Sequence, residues 1–425
     1  MIKSAKMKHS LMLYITLFLW VLTGGSVFSV MERNVLMLVF LACVLYHIFV
    51  NKSKLRANLT KSFVIVLLFV LFIIFINYVF SIKPQDIVKY IYIYMIFFTQ
   101  GLFCIFVFSV FSYKRFISIF YRILKFIRLH AILNALIVTF FSFILFQHKV
   151  NDFNGYPVDT FYYIFNRFAD QYSFNIGGIS LIRNQGLFWE PGVLQLYLNL
   201  LLFFQLYIIK NNKFELGLTF LAILTTYSTT AYFICILTSS IAIVSLIKRR
   251  PLIILPICIV AFVFIFPFIL GNVNNKLNGN NETSSMVRLY DLLQQWVVIK
   301  ENFLVGVGLD DQRYAAIRDI YQLPQETLSY LGISPENRGS SNSIFFLLGT
   351  LGVPFSIVFI VAYIKQVFIL RYKWLISLVL LLSVMVEPLL LKPFLVTFII
   401  SGLFIIFSKS QIRKSPFLIW KQDIN

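Results

Sequence analysis

Charge is what this chain has least of. Asp, Glu, Lys and Arg make up 13% of 425 residues, too few for the surface of a water-soluble domain. Acidic residues are scarcer still, 17 against 37 basic ones. The four cysteines, Cys43, Cys104, Cys235 and Cys258, all lie inside apolar runs, and none has the spacing of a metal cage or a disulfide framework. His9, His47, His130 and His148 are scattered, which argues against a histidine metal site. There is no Walker loop and no Gly-rich dinucleotide turn, so cytoplasmic nucleotide chemistry has no support, and no cofactor or metal is expected. A cleavable signal peptide is not expected either. The apolar run from Leu11 is too long for a signal core and lacks a small-residue cleavage site.

What is abundant is apolar. Hydrophobic residues make up 59% of the chain, in runs long enough to cross a bilayer. The composition and its periodicity read as an all-α polytopic membrane protein with about 12 transmembrane helices. They are placed near 11–30, 35–50, 62–81, 89–112, 130–147, 186–209, 215–230, 231–247, 251–270, 342–364, 374–390 and 393–408. Lys and Arg gather in alternate connecting segments, for example Lys3, Lys6 and Lys8, then Lys52, Lys54, Arg56 and Lys61, then Lys248, Arg249 and Arg250. By the positive-inside rule those segments and both termini are cytoplasmic. The net charge of +20 is then an orientation signal, and no nucleic-acid partner is expected. This alternation requires 215–247 to fold as two short spans meeting near Tyr227–Thr230.

The chain divides accordingly. Residues 1–147 hold the first five spans and 148–185 a first large outer loop. Residues 186–270 hold spans six to nine, 271–341 a second and larger outer loop, and 342–425 the last three spans and a cytoplasmic tail. The second loop opens with the Asn/Gly-rich linker "GNVNNKLNGNNETSS". In "MVRLYDLLQQWVVIKEN", Leu289, Leu292, Leu293 and Trp296 recur at helical spacing, with Arg288, Asp291 and Gln295 on another face. Ser284 or Ser285 is expected to cap this helix, and Asn302 with Gly306 to end it. On the inner side, "YKRFISIFYRILKFIRLH" puts Arg115, Ser118, Arg122 and Lys125 on one stripe. It reads as an amphipathic helix lying on anionic membrane lipid.

The polar residues that call for explanation fall on the outer side. In "RNQGLFWEPG", Pro191 suits the first turn of a helix, which puts Glu190 at the helix N-terminus where the dipole favours a carboxylate. Either Glu190 is a cap paired with Arg183, or both face a cavity and act on a polar substrate. Arg288 is expected in the first turn of the loop helix, a poor place for a cation unless an anion binds there. It either pairs with Asp291 or serves such an anion. In "ENRGSSNSIFFLLG", Arg338 precedes a span, and Ser340, Ser341 and Asn342 either cap that helix or contact substrate. Glu387 and Lys392 flank "PLLL" and read as a structural ion pair. An arginine-lined outer cavity suits a substrate with phosphate groups and a lipid tail.

The order of these motifs resembles a known family. Arg-x-x-Gly-Leu-Phe-x-Glu-Pro-Gly opens a span, and Ser228 and Thr230 follow at a tight outer turn. Arg288 starts a helix running into "NFLVGVG", and "SSNSIFFLLGTLGVP" enters another span. Over about 183–365 this resembles the O-antigen ligase/polymerase superfamily, most closely the Wzy-type O-antigen polymerases. The resemblance implies a metal-independent, GT-C-like glycosyltransferase of the inner membrane with its active site facing the periplasm. It would move a growing glycan from undecaprenyl diphosphate onto a new lipid-linked repeat unit, with chain length set by a separate co-polymerase. Arg288 and Arg183, then Arg338, would stabilise the diphosphate, and Glu190 would act as base, or else hold the sugar or orient Arg183. Ser341, Asn342, Ser228, Thr230 and Tyr290 would contact substrate. Ligases of the superfamily carry a histidine where this chain has Ser341, which favours a polymerase. The competing readings are a ligase transferring polymer to lipid A-core, and a flippase or transporter of lipid-linked oligosaccharide.

Overall fold

In a computed structural model of the chain, the described residues are 2–55, 57–82, 84–141, 148–151, 157–167, 174–176, 179–209, 212–247, 282–310, 342–385, 387 and 389–413. Single residues are also described at 314, 316, 317, 320, 321 and 417. The expected span at 251–270, the linker at 271–281, Arg338 and Ser341 lie outside them.

Helices form wherever apolar runs are uninterrupted: α1 (Ile2–Leu22), α2 (Val27–Met31), α3 (Arg33–Val50), α4 (Ala57–Phe80), α5 (Ile87–Val110) and α6 (Tyr113–Phe140). After the first loop come α7 (Pro191–Phe203), α8 (Lys213–Thr225), α9 (Thr229–Ile247) and α10 (Glu282–Glu301). The chain closes with α11 (Ser343–Leu351), α12 (Val353–Ile364), α13 (Lys373–Val384) and α14 (Pro393–Arg413). Among the described residues, Arg33–Val50, Leu59–Phe80, Ile87–Val110, Tyr113–Phe140 and Pro191–Ile208 are long and apolar enough to cross a membrane, and five shorter apolar helices accompany them. The chain is a helical membrane protein.

Lipid solvates apolar side chains as well as a core does, so the bundle must be held by close packing and internal hydrogen bonds. α14 supplies the centre, packed against α5, α4 and α12. Trp20 is fully buried among the rings of Phe103, Phe116, Phe120, Phe368, Phe394 and Phe398. Its indole N–H donates to Thr397 Oγ1 (2.8 Å), and that hydroxyl donates to Gln100 Oε1 (2.8 Å). Outside this core, Leu68, Phe72 and Phe75 of α4 stand exposed as a lipid-facing row.

Four expectations change. First, the inner amphipathic helix and the following span are one continuous helix, α6. Ser112 caps it, and no glycine or proline interrupts the stretch where the stripe of cations ends. Part of the stripe is bound to protein. Lys125 Nζ lies 2.8 Å from Glu215 Oε1, and buried Arg128 lies 2.6 Å from Glu215 Oε2 and donates to its carbonyl (2.9 Å). Second, the segment expected as a first outer loop, 148–185, carries strands. β1 (His148–Asn151), β2 (Pro157–Phe161) and β3 (Phe165–Arg167) form an antiparallel meander, and β4 (Phe174–Ile176) pairs with β5 (Ile179–Leu181). Third, α10 begins at Glu282, so Ser284 and Ser285 lie inside it and Arg288 falls in its second turn. Fourth, the span expected at 342–364 is broken at Gly352, whose φ of 78° and ψ of 160° are open essentially to glycine alone.

That break has a purpose in the packing. Non-helical backbone at membrane depth persists only where protein satisfies it. Here the end of the second loop does so. Val307 N–H donates to the Gly349 carbonyl (2.9 Å), Gly308 N–H to the Thr350 carbonyl (3.0 Å), and Val353 N–H to the Phe303 carbonyl (2.8 Å). Asn77 of α4 clamps both strands of the junction, donating to the carbonyls of Val305 (2.7 Å) and Thr350 (2.8 Å). Tyr90 completes it, donating to Asn77 Oδ1 (2.7 Å) and accepting from Leu309 N–H (2.9 Å). The expected turn in 215–247 is present, with α8 and α9 meeting at Thr226–Ser228.

Candidate functional site

The "RNQGLFWEPG" stretch is laid down as an extended strap before α7. It bridges to the turn after α1, with Val27 N–H donating to the Leu187 carbonyl (2.9 Å) and Trp189 N–H to the Gly25 carbonyl (3.2 Å). Asn184 anchors its start. The Asn184 side chain donates to the Ala131 carbonyl (2.7 Å) and Thr225 Oγ1 (2.9 Å), and accepts from Asn134 Nδ2 (2.9 Å) and Gly186 N–H (3.0 Å). Asn166 from the first loop joins this node through the Gly186 carbonyl (2.9 Å). Next to Asn184, the side-chain amide of Gln185 is fully buried and meets no hydrogen-bond partner among the described residues.

Arg183 is half-buried, and the next residue, Asn184, donates its backbone N–H to the Thr225 carbonyl at the end of α8 (3.0 Å). The strap and the Ser228–Thr230 turn therefore adjoin. Ser228 is buried and its Oγ accepts from Ala231 N–H (3.4 Å), so it caps α9, while Thr230 is half-buried in that helix's first turn.

At the other end of the strap, Glu190 is the N-cap residue of α7 with Pro191 in the first turn, as the sequence indicates. Its side chain makes no capping hydrogen bond. Its carbonyl accepts from Val193 (3.1 Å) and Leu194 (3.2 Å). The unexpected neighbour is Glu387. The space beside Gly192 is filled by the Glu387 carboxylate, and a Cβ on Gly192 would lie 2.0 Å from Glu387 Oε1. Glu387 is only 7% exposed and forms no ion pair among the described residues. The expected Glu387–Lys392 pair is therefore not formed. Lys392 instead holds its ammonium 5.9 Å from the centre of the Trp189 ring. The carboxylate stands beside the first turn of α7, at the positive end of that helix's dipole.

Ser343 ties this region to α11. Its hydroxyl donates to the Glu387 carbonyl and accepts from Leu389 N–H (2.6 Å) and Leu390 N–H (3.1 Å). Asn342 caps α11, its Oδ1 accepting from Ile344 (2.9 Å) and Phe345 (3.2 Å). The starts of α7 and α11 thus meet at the 387–392 turn, and α14 begins directly after it at Pro393. α11 in turn packs against α10, where Tyr290 is buried and Trp296 lies 6.4 Å from Phe345 between ring centres. Arg288 stands two residues before Tyr290 on that helix.

The structure therefore brings the strap that carries Arg183 to the end of α8, next to the turn that holds Ser228 and Thr230, and joins the Glu190–Gly192 segment to Ser343 and Asn342 through Glu387. Arg288 and Tyr290 share α10, which packs against α11; the side chain of Arg288, and all of Arg338 and Ser341, lie outside the described residues. Sequence reasoning missed Glu387 as part of this group and Asn184 as its anchor. A carboxylate between two proline-containing turns was the available signal for Glu387.

The described residues thus make a helical membrane bundle in which the starts of α7 and α11 meet beside the Glu387 carboxylate. A family model described as O-Antigen ligase matches residues 216–360, from the first turn of α8 into α12, and with it the resemblance to the O-antigen ligase/polymerase superfamily holds. Neither curated proteins nor solved structures give a match. The matched segment leaves out both Glu190 and Glu387.

Proposed function

We propose that this protein polymerises O-antigen repeat units at the periplasmic face of the inner membrane. In this reading an acceptor sugar hydroxyl on a new lipid-linked repeat attacks the anomeric carbon of the growing chain. The bond to undecaprenyl diphosphate breaks, its electron pair stays on the diphosphate, and the hydroxyl proton passes to a carboxylate. The observation that carries the reading is the meeting of the α7 and α11 starts around Glu387, inside and beside the segment matched by the O-antigen ligase family. Helix N-termini and fixed guanidinium groups stabilise a departing diphosphate without reorganising. Arg288, Arg183 and Arg338 take that role, and Glu190 is the base, with Glu387 the second carboxylate within reach of the same helix start. Tyr290, Thr230 and Ser341 contact sugar, while Ser228 and Asn342 shape the site by capping its helices. A co-polymerase partner would set chain length.

Ser341 in place of the ligase histidine favours polymerase over ligase. The test is genetic and biochemical. Arg183→Ala, Glu190→Ala and Arg288→Ala should each leave the protein inserted at normal abundance, while cells display lipopolysaccharide with a single repeat unit. Long chains retained in all three variants would overturn the site assignment. Loss of a ligase would instead strand polymer on its carrier. A pure transporter would move lipid-linked repeats in vesicles yet never lengthen them in detergent.

A further inference from the structure

Helix α10 packs Tyr290, Val298 and Ile299 inward and yet leaves a second apolar stripe uncovered, while polar side chains are buried beside the packed face. Its buried residues include Asp291, Gln294 and Gln295, exposed by 1% or less, whereas Leu293 is 37% exposed and Trp296 59%. Leu289 continues the exposed stripe one turn earlier, and exposed Lys300 ends it. In a soluble domain the apolar stripe would face inward. Beyond the helix, Phe303 and Leu304 are also exposed, at 53% and 68%.

The level of this surface is set by hydrogen bonds. The Phe303 carbonyl accepts from Val353 at the break between α11 and α12, and the Val305 carbonyl accepts from Asn77. Asn77 lies three residues before the end of α4, on the helix whose Leu68, Phe72, Phe75 and Val79 form an exposed row. The end of the second loop thus sits at the depth of the last turn of a lipid-facing span. Trp and Lys at the margin of such a stripe are the side chains that settle at a membrane interface, the indole at headgroup level and the ammonium reaching to water.

We infer that α10 lies in the bilayer at the site end of the bundle, with Leu289, Leu293, Trp296, Phe303 and Leu304 against lipid acyl chains. The second loop is then not an extramembrane lid. It is an interfacial helix with lipid on one face and the polar interior on the other, Asp291, Gln294 and Gln295 being on the inward side. The occupant of the apolar face is bilayer lipid, because that face lies level with the end of lipid-facing α4 and its charged side chains, Lys300 and Glu301, stand together at the end of the helix. The inference stands apart from the glycan reading, which concerns the opposite face.

The experiment uses the full chain in phosphatidylcholine vesicles, with plain or chain-brominated lipid, comparing wild type with Trp296→Phe. The difference in emission isolates Trp296 from the other four tryptophans. With the helix seated ~5–10 Å into the headgroup–acyl boundary, brominated lipid should quench that difference signal by about half, and aqueous acrylamide should barely affect it. Quenching by acrylamide alone would overturn the inference, as would resistance to both quenchers, which would mean that protein covers the stripe. Leu293→Cys carrying a spin label gives the same distinction without touching a tryptophan. Access to dissolved oxygen supports the inference, and access to a water-soluble nickel chelate overturns it.

Discussion

The substitution Gly192→Ala separates a functional carboxylate from a packing one. The new methyl would sit 2.0 Å from Glu387 Oε1 where ordinary contact begins at 3.4 Å, so the carboxylate must retreat by about 1.4 Å. The group it meets is the end of a flexible side chain, and alanine is the better helix former by ~1 kcal/mol, so the fold should tolerate the change. Chemistry should not. Displacement of a reacting group by ~1 Å is worth about 100-fold in rate, so chain extension should fall by roughly that factor while abundance and thermal unfolding stay near wild type. The assay is extension of lipid-linked repeat units by the purified protein, read beside its unfolding midpoint. Glu387→Gln supplies the companion, since it keeps the volume and removes the charge. Wild-type extension by both Gly192→Ala and Glu387→Gln would refute a role for this carboxylate.

Two further predictions concern the scaffold. Gly352→Ala must place a Cβ 2.4 Å from the Leu304 carbonyl oxygen in a backbone conformation that alanine avoids, and backbone cannot step aside as a side chain does. Strain and overpacking together should cost about 3 kcal/mol or more, seen as a lowered unfolding midpoint and lost abundance. Gly217→Ala, whose Cβ would meet nothing within 4 Å, is the matched control and should be neutral or slightly stabilising. Glu215→Ala leaves Arg128, whose side chain is only 5% exposed, without its carboxylate. The loss should be about 2 kcal/mol, kept below a fully buried pair because Glu215 is itself 26% exposed, and Lys125→Met should cost far less. Thermal unfolding in detergent checks both, and equal effects of Glu215→Ala and Lys125→Met would contradict the assignment of burial.

What was legible in the sequence was local. Pro191 placed the start of α7, Asn342 the cap of α11, and the polar Tyr227–Thr230 run the turn between α8 and α9, because each depends on neighbours within a few residues. The basic segment of α6 reads as a boundary, since its five cations from Lys114 to Arg128 would usually leave a bilayer. Nothing local showed that Glu215, 87 residues beyond Arg128, would receive two of them and let the helix continue. Periodicity identified the two faces of α10 but not which met lipid, because the same alternation serves a helix in water and one in a membrane. Glu387 had an apparent partner five residues away in Lys392. Its real neighbour, Gly192, is almost two hundred residues earlier and has no side chain with which to announce itself. Three-dimensional closure at the site was therefore invisible even where every motif had been marked.

The Asn184 node also constrains how the protein is made. Its carboxamide is satisfied by groups from Ala131 to Thr225, with Asn166 bound into the same cluster. A nascent chain that has delivered α6 and the strap but not α8 leaves that amide, and the loop it anchors, without partners. The first half of the bundle can insert helix by helix, yet it cannot set until the ribosome has passed Thr225. Truncations just before that residue should therefore be recognised by quality control as unfinished, whereas those just after α9 should persist as a protease-resistant intermediate of biogenesis.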